Sequence, residues 1–186
     1  MRQIAIPSLF REVLGESQTL AEIVAILLFS VGLTVLLCFL SPEALFRVDA
    51  WRSTLAILLI LDIFAGCIAN FSYSTNHYYA QHSTARLVFI AIHVHLLAIA
   101  LLLDVAIDHA MLVWAYTMLA ALAVNALKGM RLQRFAAGLL LALGVAMVFL
   151  APPAPQFFML ISVLFMLKVM YSFAVDHYAQ RDWSRS

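Results

Sequence analysis

An all-α, polytopic bundle of six membrane-spanning helices is the fold class this sequence predicts, and three observations predict it. Hydrophobic residues make up 65% of the chain, charged residues only 11%, and the mean hydropathy is +1.00, well beyond what a water-soluble domain carries. The apolar residues fall into six runs, each close to the roughly 20 residues that a helix needs to cross the hydrocarbon. Short polar segments separate the runs and hold most of the charges and prolines. One membrane domain, 1–186, follows, with no room for a soluble one. The net charge of +1 gives no reason to expect a nucleic-acid partner, so membrane lipid is the expected surrounding.

Residues 1–18 place Ile6, Leu9, Phe10, Val13 and Leu14 at helical spacing, with Arg2, Arg11, Glu12 and Glu16 on the remaining surface. A short amphipathic helix lying in the interface, starting after Pro7, is expected there. Thr19 followed by Glu22 reads as a capping box that opens the first span, 20–40. The run is too long for the apolar core of a signal peptide, and no small-residue cleavage site follows it, so it is expected to remain as a signal anchor. Ser41-Pro42-Glu43 suggests a brief surface helix.

The second span is expected at about 53–73, and a polar loop, SYSTNHYYAQH, follows it. Ser83 or Thr84 is placed to cap the third span, 86–103. Asp104 to Asp108 makes a tight turn, with Asp108 as the cap of the fourth span, 109–127. Lys128, Arg131 and Arg134 make the most basic loop. The fifth span, 135–150, ends at Ala151-Pro152-Pro153-Ala154-Pro155, where proline forces a rigid reversal into the sixth, 155–175. Cys38 and Cys67 both lie inside spans and not in a CxxC pair, which argues against a disulfide framework or a zinc ribbon.

Orientation follows from the basic residues of short loops. With both termini cytoplasmic, the inner side receives Arg2, Arg11, Arg86, Lys128, Arg131, Arg134, Arg181 and Arg185, and the outer side only Arg47 and Arg52. A multi-pass protein of the cell membrane with that orientation is expected. Asn70-Phe71-Ser72 matches a glycosylation sequon, but would go unused at a cytoplasmic helix end. The two halves of the chain show no repeat of the transporter kind.

Ionisable residues inside membrane spans are expensive, each costing roughly 2.5 to 3.5 kcal/mol on insertion scales, so those present should face other helices. At 100° per residue, Asp62, Gly66 and Asn70 share one stripe of the second span, and Arg86 and His93 one line of the third. Lys168, Ser172 and Asp176 repeat on the sixth, and Asn125 lies on the fourth. These stripes predict a polar cavity opening to the cytoplasm. Asp62, His93 and Lys168 are the candidate catalytic or proton-carrying groups. Asn70, Asn76, His77, Arg86, Asn125, Ser172 and Asp176 are the candidate substrate-binding groups, with Arg86 or Lys168 on an anionic headgroup. In an unbroken helix His95 falls on the face opposite His93, so the pair written HVH is not expected to chelate one ion, nor does a second histidine face His93 for bis-histidine haem ligation.

Each of these residues has a structural alternative. Asp62 and Lys168 make sense as an ion pair that fixes register, His93 as a neutral imidazole bonded to a carbonyl, Arg86 as an interfacial anchor, and His109 as a surface residue. The loop after the second span reads either as a hinge with belt tyrosines or as a lid in which Asn76, His77 and His82 reach headgroups or a metal. Imidazole with carboxylate suits zinc, and His93, His77 and Asp62 are the candidate ligands for such a divalent metal, although no HExxH or comparable motif supports them. Three functions therefore fit the sequence, the first of which it favours. One is a small membrane-embedded enzyme, with hydrolysis of a lipid or amphiphilic substrate among its reactions. The others are a proton-coupled small-molecule transporter and a structural or accessory subunit. No nucleophile elbow, phosphate-binding loop or dinucleotide fingerprint is present.

Overall fold

The computed structural model describes residues 3–6 and 15–179. Six helices, or helix pairs joined end to end, are long and apolar enough to cross a membrane. The expected bundle is thus observed, and its outer surface carries exposed apolar side chains such as Leu28, Phe39 and Leu150, as a lipid-facing surface does.

The chain begins with a two-stranded antiparallel ribbon, β1 (Gln3–Ala5) and β2 (Ser17–Thr19), with Gln3 opposite Thr19. The ends of the expected interfacial helix are therefore extended, and its centre, residues 7–14, lies outside the described residues. Extended backbone at Thr19 is the geometry an N-cap requires. Its hydroxyl accepts from the Glu22 backbone N–H and the Glu22 carboxylate accepts from the Thr19 N–H, so the capping box that opens α1 (Leu20–Leu40) is complete. After α2 (Pro42–Leu45), with Pro42 at its first position, α3 (Ala50–Ala69) packs against α1 and forms the centre of the bundle through Ala56, Ile60, Ile63, Phe64 and Cys67.

The expected polar loop is instead a helix, α4 (Tyr73–Gln81). It has no glycine or proline to stop it, and the Ser72 hydroxyl caps it by accepting from Thr75 N–H. The third span is interrupted: α5 (Ser83–Ile92) stops at His93, and α6 (His95–Leu103) resumes one residue after Val94. Neither Ser83 nor Thr84 caps α5, because helical structure already starts at Ser83 with His82 as the preceding residue. At the other end of this span Arg52 donates to the Leu101 carbonyl and pairs with Asp104 at 2.7 Å.

Asp104 and Ala106 take left-handed backbone in the turn, and α7 (Ile107–Ala126) begins immediately, so Asp108 lies in its first turn and does not cap it. His109, expected at the surface, is buried and bonded to the Pro152 carbonyl at 2.9 Å, which ties α7 to the proline-rich reversal. The fifth span is α8 (Leu132–Leu150) and the sixth α9 (Gln156–Met166), which continues as a π-helical segment, Leu167–Phe173. The wider turn is read from bonds such as Ala174 N–H to the Val169 carbonyl, 3.2 Å. Residues 17–18 of the ribbon bond Ser72 and Ser74, and Tyr178 bonds the Phe71 carbonyl. Ribbon, α4 and the end of the last helix thus meet at one end of the bundle, called the ribbon end below.

Candidate functional site

The break in the third span builds the site. In a continuous α-helix the His93 N–H would bond the Phe89 carbonyl. Here it bonds the Ile90 carbonyl at 3.2 Å, and the His93 ring Nδ1 takes the Phe89 carbonyl in its place. The His93 carbonyl, released from the helix, accepts from the Trp114 indole at 3.0 Å. The Phe89, Ile90 and His93 carbonyls and the His93 and Val94 N–H groups therefore keep partners across the break, as backbone in a membrane interior requires. The consequence is rotational: His95 no longer lies opposite His93, and the two imidazole centroids are 5.0 Å apart. The expectation that HVH splits between two faces is overturned.

Across from the break, α3 presents Asp62. The Lys168 ammonium lies 2.5 Å from its Oδ2 and 3.3 Å from its backbone carbonyl, and His95 Nε2 faces the same Oδ2 at 3.4 Å. Gly66 makes this approach feasible. A Cβ there would come 2.8 Å from Lys168 Cδ and nearer still to Cε, so the lysine stem lies along α3 where a larger residue would stand. The π-helical turn begins at Leu167 and directs Lys168 inward, a use of local under-winding common at functional sites.

These groups line a cleft of about 120 Å³ with Gly66, Asn70, Tyr79, Phe89 and Ile92. Phe89 stacks on Phe173 with centroids 3.7 Å apart and lies tilted against the His93 ring at 4.0 Å, which makes one wall aromatic. Lys168 is 4% exposed, His95 23% and Asp62 36%, so the carboxylate faces the mouth and the ammonium lies at the floor. Three buried polar atoms in this lining have no hydrogen-bond partner: His93 Nε2, His95 Nδ1 and Asn70 Nδ2.

Of the expected catalytic groups, the structure brings Asp62, His93 and Lys168 together. Asn70 joins them. Arg86, Asn125, Asn76 and Asp176 belong elsewhere, around the C-terminal end of the last helix, where helix carbonyls lack partners of their own. Arg86, 1% exposed, donates to Asn125 Oδ1 at 2.7 Å and to the Ala174 carbonyl. Asn76 donates to the Val175 carbonyl at 2.9 Å and accepts from His177 N–H at 3.1 Å. Gln133 donates to the Ala174 carbonyl at 3.1 Å, and its side-chain oxygen accepts from Asp176 N–H at 3.3 Å. A cation and two amides at a helix C-terminus satisfy the carbonyls and complement the dipole. Ser172 donates to the Cys67 carbonyl at 2.9 Å, which joins the last helix to α3. Beyond the spans, burial holds the His177 imidazole below the usual histidine range, against the opposing effect of its bond to the Tyr171 carbonyl.

His77 does not reach the centre. It stacks on Tyr73, contacts Gln81 at 2.9 Å and lines a separate depression with Glu16, Tyr78 and His82 at the ribbon end. The ligand set His93, His77 and Asp62 is therefore not assembled, and among the described residues no three His, Cys, Asp or Glu side chains converge as a metal-holding group. Among the described residues no serine, threonine or cysteine lines the cleft, and Ser172 is engaged as above. Sequence reasoning missed His95, Trp114 and Gln133. Two histidines flanking one valine in apolar sequence were a usable signal for the first, since both rings find polar surroundings only if the helix yields between them.

In comparisons with known proteins, the chain matches no family model, no curated protein and no solved structure.

Proposed function

We propose that this chain is a proton-coupled membrane carrier whose coupling site is the Lys168–Asp62–His95–His93 centre. The observation that carries the reading is one contiguous chain of an ammonium, a carboxylate and two imidazoles at a break in a membrane helix. Ionisable groups inside membrane spans mark proton and ion pathways. Discontinuous helices supply carriers with both binding groups and hinges, and the break gives the third span two rigid halves. The cleft size supports protons or small ions as the occupants. About 120 Å³ holds roughly four waters at about 30 Å³ each, whereas small-molecule sites occupy roughly 300 to 1,000 Å³. The excess of Lys and Arg near the ribbon end supports a cytoplasmic location for it. The cleft extends from Asp62 towards Asn70 and Tyr79 at that end.

The test is proton movement into liposomes loaded with a pH dye, under an imposed membrane potential, with and without a mixed panel of inorganic ions and small metabolites outside. Protein-dependent movement that disappears in Asp62→Asn is expected. Its absence from wild-type liposomes under every condition would refute the carrier reading.

A second reading has one observation in its favour. A carboxylate that faces His95 Nε2 leaves Nδ1 as a free base, the arrangement of general-base catalysis. An enzyme acting on an amphiphile from the bilayer would use it, and turnover of phospholipid vesicles lost in His95→Gln would favour that reading over the carrier.

A further inference from the structure

We infer that His93 and His95 together bind a late first-row transition-metal ion of the zinc class, through His93 Nε2 and His95 Nδ1, with its remaining positions open to water. The identification of that ion as cargo rests on the carrier reading; the binding site does not.

One hydrogen bond and one charge contact indicate which nitrogens are available. His93 Nδ1 donates to the Phe89 carbonyl, which leaves Nε2 with a lone pair, and His95 Nε2 is turned to the Asp62 carboxylate, which leaves Nδ1 with one. Both free nitrogens are buried and unpartnered, and both residues line the same cleft. A buried acceptor without a partner is costly, and two such atoms sit on residues that line one small cleft, with ring centroids 5.0 Å apart. Metal-ligating histidines characteristically direct their other ring N–H to a carboxylate or a backbone carbonyl, which sets the tautomer and raises ligand basicity. His95 meets the first condition through Asp62 and His93 the second through Phe89.

The ring separation agrees. With zinc–nitrogen bonds of about 2.0 to 2.1 Å, each imidazole centroid lies roughly 3.2 Å from a bound ion. Centroids 5.0 Å apart then correspond to an angle of roughly 100° at the metal, close to tetrahedral. Neutral imidazole without thiolate or a hard oxygen cage selects zinc, copper or nickel over magnesium or calcium. The Lys168 charge is engaged by Asp62 at 2.5 Å, so the nearest ammonium is already compensated. Two protein ligands are fewer than resident zinc sites use, which suits an ion that must enter and leave.

The test uses the full chain in detergent, titrated with cobalt(II) as a spectroscopic probe and then with zinc(II) as competitor. One saturable visible absorption band per chain, displaced by zinc, is expected. It should vanish in His93→Gln and in His95→Gln, persist in His177→Gln, and need about 10- to 100-fold more cobalt in Asp62→Asn, the loss typical when the outer partner of a ligating histidine is removed. No saturable band in monodisperse wild-type protein would overturn the site, and that arm needs no variant. A band that survives the His93→Gln/His95→Gln double substitution would also overturn it. Because binding is measured without a membrane gradient, the two claims fail separately: cobalt binding without proton flux removes the carrier, and flux without cobalt binding removes the metal.

Discussion

Gly66→Ala separates the geometry of the centre from the stability of the fold. A methyl group at Gly66 would lie 2.8 Å from Lys168 Cδ and 3.1 Å from Cγ, inside ordinary contact distance. The obstructing atoms belong to a flexible stem, so Lys168 yields and α3 stays in place. Two terms then oppose each other. Replacing glycine by alanine within a helix is worth about 1 kcal/mol in backbone propensity, while overpacking a filled site costs about 1 to 3 kcal/mol. The expected net loss is roughly 0 to 2 kcal/mol, small beside the expected loss of function, because the ammonium is pushed away from Asp62. The sign of the effect depends on Lys168. In a Lys168→Ala background the clashing atoms are gone, and Gly66→Ala should stabilise by about 1 kcal/mol. Thermal unfolding in detergent, followed by tryptophan fluorescence for all four proteins, measures this reversal. Equal effects of Gly66→Ala in the two backgrounds would refute the argument that the lysine stem occupies the place of a side chain.

Trp114→Phe removes the indole donor to the His93 carbonyl; leaving a buried carbonyl unsatisfied should cost about 1 to 3 kcal/mol. Hydrogen exchange around residues 92–96 should accelerate, whereas unchanged exchange there would mean that the break holds without Trp114. Arg86→Met should destabilise the fold by about 3 kcal/mol, the cost of breaking a buried charged network, and Arg86→Lys should not rescue it, since an ammonium lacks the guanidinium fork. Cobalt binding by the surviving folded fraction should be unaffected, and its loss would return Arg86 to the site. For His177, burial lowers the folded pKa below the unfolded value, so the unfolded chain takes up the proton first. Its contribution to stability is then fully present above about pH 6.5 and is lost as pH falls below that value. His177→Gln should flatten the acid limb of the stability profile, and an unchanged limb would place the acid sensitivity in other groups.

The parts of this structure that depend on local pattern were legible in the sequence. Six apolar runs gave six spans, the Thr19/Glu22 spacing gave a complete capping box, and helical periodicity put Asp62 and Gly66 on one stripe, with Lys168 as the expected ion-pair partner of Asp62. The parts that depend on how elements meet were not. No proline or glycine marks the break at His93, because a local bond from the His93 ring and a tertiary bond from Trp114 stabilise it, and the face of His95 could not be assigned while the helix was taken as continuous. Arg86 and Asn125 looked like site residues since polarity inside a span draws attention wherever it lies, and Asn76 because the loop holding it read as a lid. The carbonyls that Arg86 and Asn76 satisfy at the end of the last helix, with Asn125 accepting from Arg86, exist only once the π-helical segment is in place. Ser72-x-x-Thr75 was readable as a helix start in a stretch whose polarity suggested a loop.

The central claim is that Asp62, His95 and their neighbours act as one unit, and a double-mutant cycle on proton flux tests it most directly. Asp62→Asn, His95→Gln and the double variant are compared with wild-type protein in the same liposomes. If one chain of groups carries the proton, either substitution alone should abolish flux and the double variant should lose no more. Residual fluxes that multiply, each substitution lowering the rate by its own factor whatever the other residue, would contradict the account.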